Sequence, residues 1–242
     1  MSNGQSFVDS HSHPTQNLTT AGIIADSSNT GTVQIGDLVK DSQRYEKYRE
    51  LGFGQKTGVE LPGESSGIMP NWEDWDGRQR YTTMFGQATL LQVSSGMATV
   101  ANGGVRVAPH LIDSWTKPEG TVEKKQVKQG TRVYSQETAR ELLTMMEGVV
   151  SENGGAKNAG KTGTTQILAP NGTQLGADGS FSGIFPANNP RVVITVVVHR
   201  PRVSIFGSVV AVPAFKEIAN ATIRELGIVP TSQPAQLYPM GG

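Results

Sequence analysis

Cysteine is absent from all 242 residues, which excludes disulfides, thiol nucleophiles and thiolate zinc sites. The absence is compatible with an oxidising compartment without requiring one. No apolar run reaches the roughly 18 residues needed to cross a bilayer. Met1-Ser2-Asn3-Gly4 has neither the basic start nor the apolar centre of a signal peptide, so the chain as given is expected to be soluble. An excess of either charge is also missing. Lys+Arg and Asp+Glu are both 21, so no global field selects nucleic acid or anionic lipid as a partner. His11 and His13 stand at a ligand-like spacing, but no carboxylate or third histidine follows closely, which favours a polar loop over a metal site. No cofactor is expected.

What is present is 29 glycines and 36% hydrophobic residues, enough for one large domain or two small ones. The chain is polar through Pro14 and becomes helical in pattern over 18–25, ending at Ser27-Ser28. Ser28 or Asn29 is expected to cap a second helix toward Leu38, with Val33 on its inner side. Residues 52–80, rich in Gly, Pro and Trp, read as a long irregular connection of the kind that borders sites. Trp72 and Trp75 there are read as loop anchors, or as the rim of a glycan site.

From Thr89, Leu90, Val93, Met97 and Val100 recur at helical steps, stopped by Asn102-Gly103-Gly104. Residues 105–133 read as strands and turns with a hairpin tip at Pro118-Glu119-Gly120. A helix after Ser135 ends in Asn153-Gly154-Gly155, and a polar turn is expected around Asn171-Gly172. Strands follow over 181–185 and 192–198. The last is apolar at almost every position, which predicts cover on both faces, one side of it from a closing helix over 214–226.

Two motifs carry chemistry. In Lys161-Thr162-Gly163-Thr164, strand alternation puts Thr162 and Thr164 on one face, suited to a carboxylate, and Lys161 on the other, while Gly163 admits a close neighbour. Alone, this is equally an exposed edge strand protected by charge. Ser27-Ser28-Asn29, alone, reads as a helix cap. The pattern Ser-x-x-Lys, which would pair a nucleophile with its base across one helical turn, occurs only at Ser114-Trp115-Thr116-Lys117. That stretch reads as a strand, where positions three apart face opposite ways, so the match is taken as coincidence.

Further segments join these in order: Asp9-Ser10-His11, Gly52-Phe53-Gly54 with Thr57-Gly58, Leu61-Pro62-Gly63-Glu64, Phe85-Gly86-Gln87, Ala101-Asn102-Gly103-Gly104 with Pro109, and Phe181-Ser182-Gly183 with Pro186 and Pro190-Arg191. Over residues 7–229 the chain resembles the C-terminal part of the transpeptidase domain of a class B penicillin-binding protein, the peptidoglycan D,D-transpeptidases of division and elongation. It departs from the pattern at Gln87-Ala88-Thr89-Leu90-Leu91-Gln92, where the family usually has a second glycine and Thr-Pro. The family's Ser-x-x-Lys nucleophile, which normally precedes Ser-x-Asn, is not found before Ser27.

The resemblance implies an α+β fold of the penicillin-binding protein and β-lactamase type: an antiparallel sheet packed by helices plus an all-helical subdomain, here without the first strands and the nucleophile helix. It divides the partial domain 1–242 into a mostly helical part with loops over 15–155, sheet strands and closing helix over 156–229, and a tail over 230–242. By resemblance, Ser27 relays a proton toward the leaving amine, Lys161 holds its hydroxyl, and Asn29 binds the substrate's amide carbonyl. Thr162, Gly163 and Thr164 form the strand that takes the terminal carboxylate, and the Thr164 N–H is half of an oxyanion hole. The implied partners are peptidoglycan stem peptides, β-lactam antibiotics and, through a parent protein, division or elongation proteins. The implied location is the extracytoplasmic face of a bacterial membrane, with the parent anchored by a segment outside this chain. Alone the chain is expected to be inactive. A D,D-carboxypeptidase or β-lactamase outcome, or a non-catalytic interaction module of the same fold, stays open. Loss of the first strands would leave 192–198 as an apolar edge available for self-association.

Overall fold

The computed structural model describes residues 6–77, 79–82, 88–151, 158–168, 173–229 and 237–242. In chain order the elements are α1 (Thr20–Asp26), α2 (Asn29–Asp37), α3 (Asp41–Leu51), a 3-10 turn (Trp72–Asp74), α4 (Gln79–Thr82), α5 (Leu90–Ala101), β1 (Val105–Arg106), β2 (Ser114–Thr116), β3 (Val122–Lys124), β4 (Thr131–Arg132), α6 (Gln136–Ser151), β5 (Ala159–Leu168), β6 (Gln174–Phe185), β7 (Val192–His199), α7 (Gly207–Val210) and α8 (Val212–Glu225). The expected Phe85-Gly86-Gln87 loop, Asn153-Gly154-Gly155 stop and Asn171-Gly172 turn lie outside the described residues.

The centre is an antiparallel sheet in the order β5-β6-β7. Its register, with Lys161 opposite Ser182 and Ser182 opposite Thr195, assigns every residue to a face. One face presents Phe181, Phe185, Ile194, Val196 and Val198 to Phe215 and Ala219 of α8 and to Ala211. Gly183 makes that packing possible, because a Cβ there would overlap the Phe215 ring. The other face is divided. At one end Ala159, Ile184 and Val193 form a core with Val100 of α5 and with Leu143 and Met146 of α6. At the other end the same face turns polar, with Lys161, Ser180, Ser182 and Thr195 around an open cavity. β7 meets apolar neighbours on both faces only at its start, where Val193 packs into the second core; Thr195 and the exposed Val197 face the cavity. The closing helix is α8, as the sequence indicates, and β7 lies at the sheet edge rather than between two strands.

Apolar periodicity does not announce α3. Its residues are polar nearly all round, and it is steadied by ion pairs at helical spacing, Arg44 with Asp41 and Lys47 with Glu50. Residues 105–133 make short antiparallel pairs, β1 with β4 and β2 with β3. Ser114 and Lys117 belong to the exposed β2–β3 hairpin, and the Lys117 amine pairs with Glu123 at 3.1 Å rather than with Ser114. No helix among the described residues is long and apolar enough to cross a membrane.

Candidate active site

α1 is a two-turn helix whose N-cap is Thr19. It ends at Ser27, which adopts the left-handed conformation, with φ 57° and ψ 36°. For a non-glycine residue this is uncommon, and it turns the Ser27 side chain out of the helix line. Ser28 then caps α2: its hydroxyl accepts from the Gly31 N–H at 3.0 Å. Two helices therefore meet end to start at Ser27-Ser28, which leaves the first serine exposed and the second buried.

β5 brings Lys161 to this junction from 134 positions away. Its Nζ donates to Ser27 Oγ at 2.6 Å and to the Thr162 carbonyl at 3.1 Å. Burial of the amine pushes its pKa down to about 8, so near neutral pH it stays mostly charged but gives up its proton more readily than an exposed lysine. Thr162 and Thr164 take the opposite face of β5, as alternation requires. The Thr164 hydroxyl is exposed, 3.5 Å from the Ile205 carbonyl. At Gly163 a Cβ would come within 2.6 Å of Ser180 Oγ, so a side chain there would push that hydroxyl aside. Asn29 opens α2 beside these residues and donates its amide to the Val8 carbonyl at 3.1 Å. Ser27 and Lys161 are thus joined directly, whereas the Asn29 amide is bonded to Val8, and Thr162 and Thr164 lie on the strand face opposite the lysine.

The sequence did not single out the carboxylate behind the junction. Asp9 accepts from the Ser28 hydroxyl at 3.1 Å, from the Thr30 N–H at 3.0 Å, from the Thr30 hydroxyl at 2.8 Å and from His13 at 3.0 Å. Burial works to raise its pKa, but these hydrogen bonds overcome it and hold Asp9 at about 2. The hydrogen bond of His13 to the Pro14 carbonyl, and then that to Asp9, raise the imidazole pKa. His11 lies 3.5 Å from Asp26, whose second oxygen is buried without a hydrogen-bond partner among the described residues. The two histidines therefore belong to carboxylate pairs flanking Ser27-Ser28. Asp9 appears in the sequence only as part of a matching stretch, because nothing local shows which distant donors will surround it.

Beside Lys161 a cavity of about 430 Å³ lies between the polar end of the sheet and an apolar wall that includes Phe53, Val93 and Met97. A lysine paired with a serine, a strand of exposed hydroxyls and an adjoining cavity can together bind a carboxylate and move a proton.

Known proteins resemble the chain along most of its length. The profile of the penicillin binding protein transpeptidase domain matches residues 1–220. The chain is 38% identical over 239 residues to penicillin-binding protein PbpB of Mycolicibacterium smegmatis, covering 90% of this chain and 37% of that protein. Among solved structures, a peptidoglycan synthetase from Bifidobacterium adolescentis superposes with a TM-score of 0.91 at 34% identity, covering 99% of this chain and 45% of the other. Penicillin binding protein 3 from Mycobacterium tuberculosis, complexed with ampicillin, superposes with a TM-score of 0.88 at 30% identity, covering 97% and 57%. The chain spans little more than a third of the length of PbpB from Mycolicibacterium smegmatis and from Mycobacterium tuberculosis.

Proposed function

Because the chain belongs to the penicillin-binding protein transpeptidase family, we propose that it supplies the proton-relay and carboxylate-binding half of a peptidoglycan D,D-transpeptidase site. The acyl-forming serine comes from residues outside these 242. The observation that carries this reading is the 2.6 Å hydrogen bond between Lys161 Nζ and Ser27 Oγ. With the amine donating to its oxygen, the Ser27 O–H is free to point elsewhere, and the positive charge of Lys161 makes that proton easier to release.

The chemistry follows in balanced steps. The external serine attacks the carbonyl of the penultimate D-alanine, its proton passing to a base outside this chain. The C–N bond to the terminal D-alanine breaks, and the leaving amine takes a proton from Ser27, which Lys161 restores. The amine of a second stem peptide then attacks the acyl-serine and forms the cross-linking amide; its proton passes through Ser27 back to Lys161, and the base outside this chain returns its proton to the released serine. Thr162 and Thr164 hold the terminal carboxylate beside Gly163, Asn29 holds the substrate's amide carbonyl, and the Thr164 N–H is half of the oxyanion hole. The cavity beside Lys161 gives room for the external serine. A β-lactam meets the same groups, in keeping with the ampicillin complex of the similar penicillin binding protein 3.

In this reading the parent protein works on the outer face of a bacterial membrane with division or elongation proteins, and β7 pairs with a strand that this chain lacks or with a second copy.

The test uses a fluorescent penicillin read by denaturing gel and intact mass. The 242-residue chain alone is expected to give no stoichiometric adduct. Adding a polypeptide that carries the family's Ser-x-x-Lys helix is expected to restore labelling on the added piece, and Lys161→Ala to abolish it. A stoichiometric adduct on Ser27 or Ser114 of the chain alone would overturn the assignment.

A further inference from the structure

α1 spans seven residues, too few for a helix to persist on its own backbone hydrogen bonds. Yet the position of Ser27 is the position of this helix, because Ser27 is its C-cap. Something outside α1 must hold it. One support is α6, which packs alongside. The other comes from residues 237–242.

This segment crosses the start of α1. Leu18 pairs with Gly241 in an antiparallel bridge. The Thr19 N–H donates to the Met240 carbonyl at 3.1 Å, and the Gly242 N–H donates to the Asn17 carbonyl at 3.1 Å. Thr19 has a double role: its hydroxyl donates to the Pro239 carbonyl at 2.5 Å while its oxygen accepts from the Gly22 N–H at 3.1 Å to cap α1. The cap and the crossing segment therefore share one atom.

Two helix glycines complete the seat. A Cβ on Gly22 of α1 would overlap the Met240 carbonyl oxygen, a backbone atom that cannot move aside alone. A Cβ on Gly148 of α6 would lie 2.6 Å from Met240 Cε. Glycine is the least favourable residue inside a helix after proline, because it loses the most backbone freedom on folding. Both helices accept it where Met240 sits between them.

We propose that residues 237–242 are a strap that positions Ser27: they bind α1 to α6 through Met240, Thr19, Gly22 and Gly148, and so keep the Ser27 hydroxyl at hydrogen-bond distance from Lys161. Met240 is the key and the two glycines are its slot. The strap itself stands on geometry, and only the importance of Ser27 rests on the proposed transpeptidase reading.

Four chains test it: residues 1–242 and 1–229, each with Gly22 and with Gly22→Ala. Gly22→Ala is expected to lower the thermal midpoint of the full chain by several degrees and to raise that of the shortened chain. Without the Met240 carbonyl, alanine supplies only its better helix propensity. A drop of equal size in both backgrounds overturns the strap. The second readout is the Lys161 side-chain titration followed by nitrogen NMR. Its midpoint is expected near 8 in the intact chain, because the amine is buried, and to move toward the ordinary lysine value when the strap is cut, as α1 leaves and water reaches the amine. An unmoved midpoint beside a lowered thermal midpoint would mean packing without positioning, and overturns the proposal.

If the shortened chain does not fold, Met240→Ala and Met240→Leu in the full chain decide the matter. Alanine is expected to shift the Lys161 midpoint, and leucine, which refills the slot, to restore it; equal midpoints in both overturn the proposal. Penicillin labelling does not enter these measurements, so failure of the transpeptidase reading leaves the strap to be judged separately.

Discussion

Asp9 shows how one carboxylate can order a site it does not enter. Its oxygens collect the Ser28 and Thr30 hydroxyls and the Thr30 N–H at the start of α2, and the His13 ring from the preceding loop. Because the folded pKa is about 2 against an ordinary 3.8, the unfolded chain binds the Asp9 proton first as pH falls. The stabilisation is therefore complete above about pH 4 and is lost as pH drops toward 2; with solvent screening the shift, its size is about 1 kcal/mol. Asp9→Asn is expected to remove about that much at pH 7 and to flatten the stability profile between pH 4 and 2. Urea unfolding at several pH values in the wild type and the variant checks this, and parallel acid limbs in the two would contradict it.

At the scale of elements, α5 forms one wall of the cavity and is held at its start by a reciprocal cap. Thr89 Oγ1 accepts from the Gln92 N–H at 3.2 Å, and Gln92 Oε1 accepts from the Thr89 N–H at 3.0 Å. The fully buried Gln92 amide also donates to the Gln55 and Ser66 carbonyls, both at 2.7 Å, and so ties the irregular connection to the helix. Thr89→Ala is expected to cost about 1 kcal/mol. Gln92→Leu is expected to cost about 2–3 kcal/mol, since it leaves those carbonyls and the Thr89 N–H without their partner. Calorimetry measures both losses. Hydrogen exchange should show residues 55–66 opening in the leucine variant and not in the alanine variant.

For the molecule as a whole, the consequential feature is a sheet of three strands with β7, among the described residues, open along one side. Its eight residues present a row of unshared backbone groups beside Val196, Val197 and Val198, a template for another strand. Light scattering is expected to show concentration-dependent association. Lysine at the exposed Val197 should reduce it by placing charge in the new interface. A clean monomer at high concentration, with every β7 amide protected from exchange, would contradict pairing through this edge.

Much of this protein was legible in its residue order, for physical reasons that are local. Helical spacing of Leu90, Val93, Met97 and Val100, the cap at Ser28 and the hairpin tip at Pro118-Glu119-Gly120 depend on neighbours within a few positions. The same is true of the alternation that sets Lys161 against Thr162 and Thr164, and the ordered motifs identified the family. α3 was not legible, because a polar helix has no apolar stripe to reveal it. The meeting of Lys161 with Ser27 was implied only by the family resemblance of the ordered motifs, and tertiary structure alone decided that Asp9 stands behind the serines and that Met240 fills the slot between Gly22 and Gly148. Each of these contacts joins distant parts of the chain or depends on which face of a helix its neighbour covers. A glycine in a helix reads in sequence only as a weak point; it becomes a seat once another segment is packed against it.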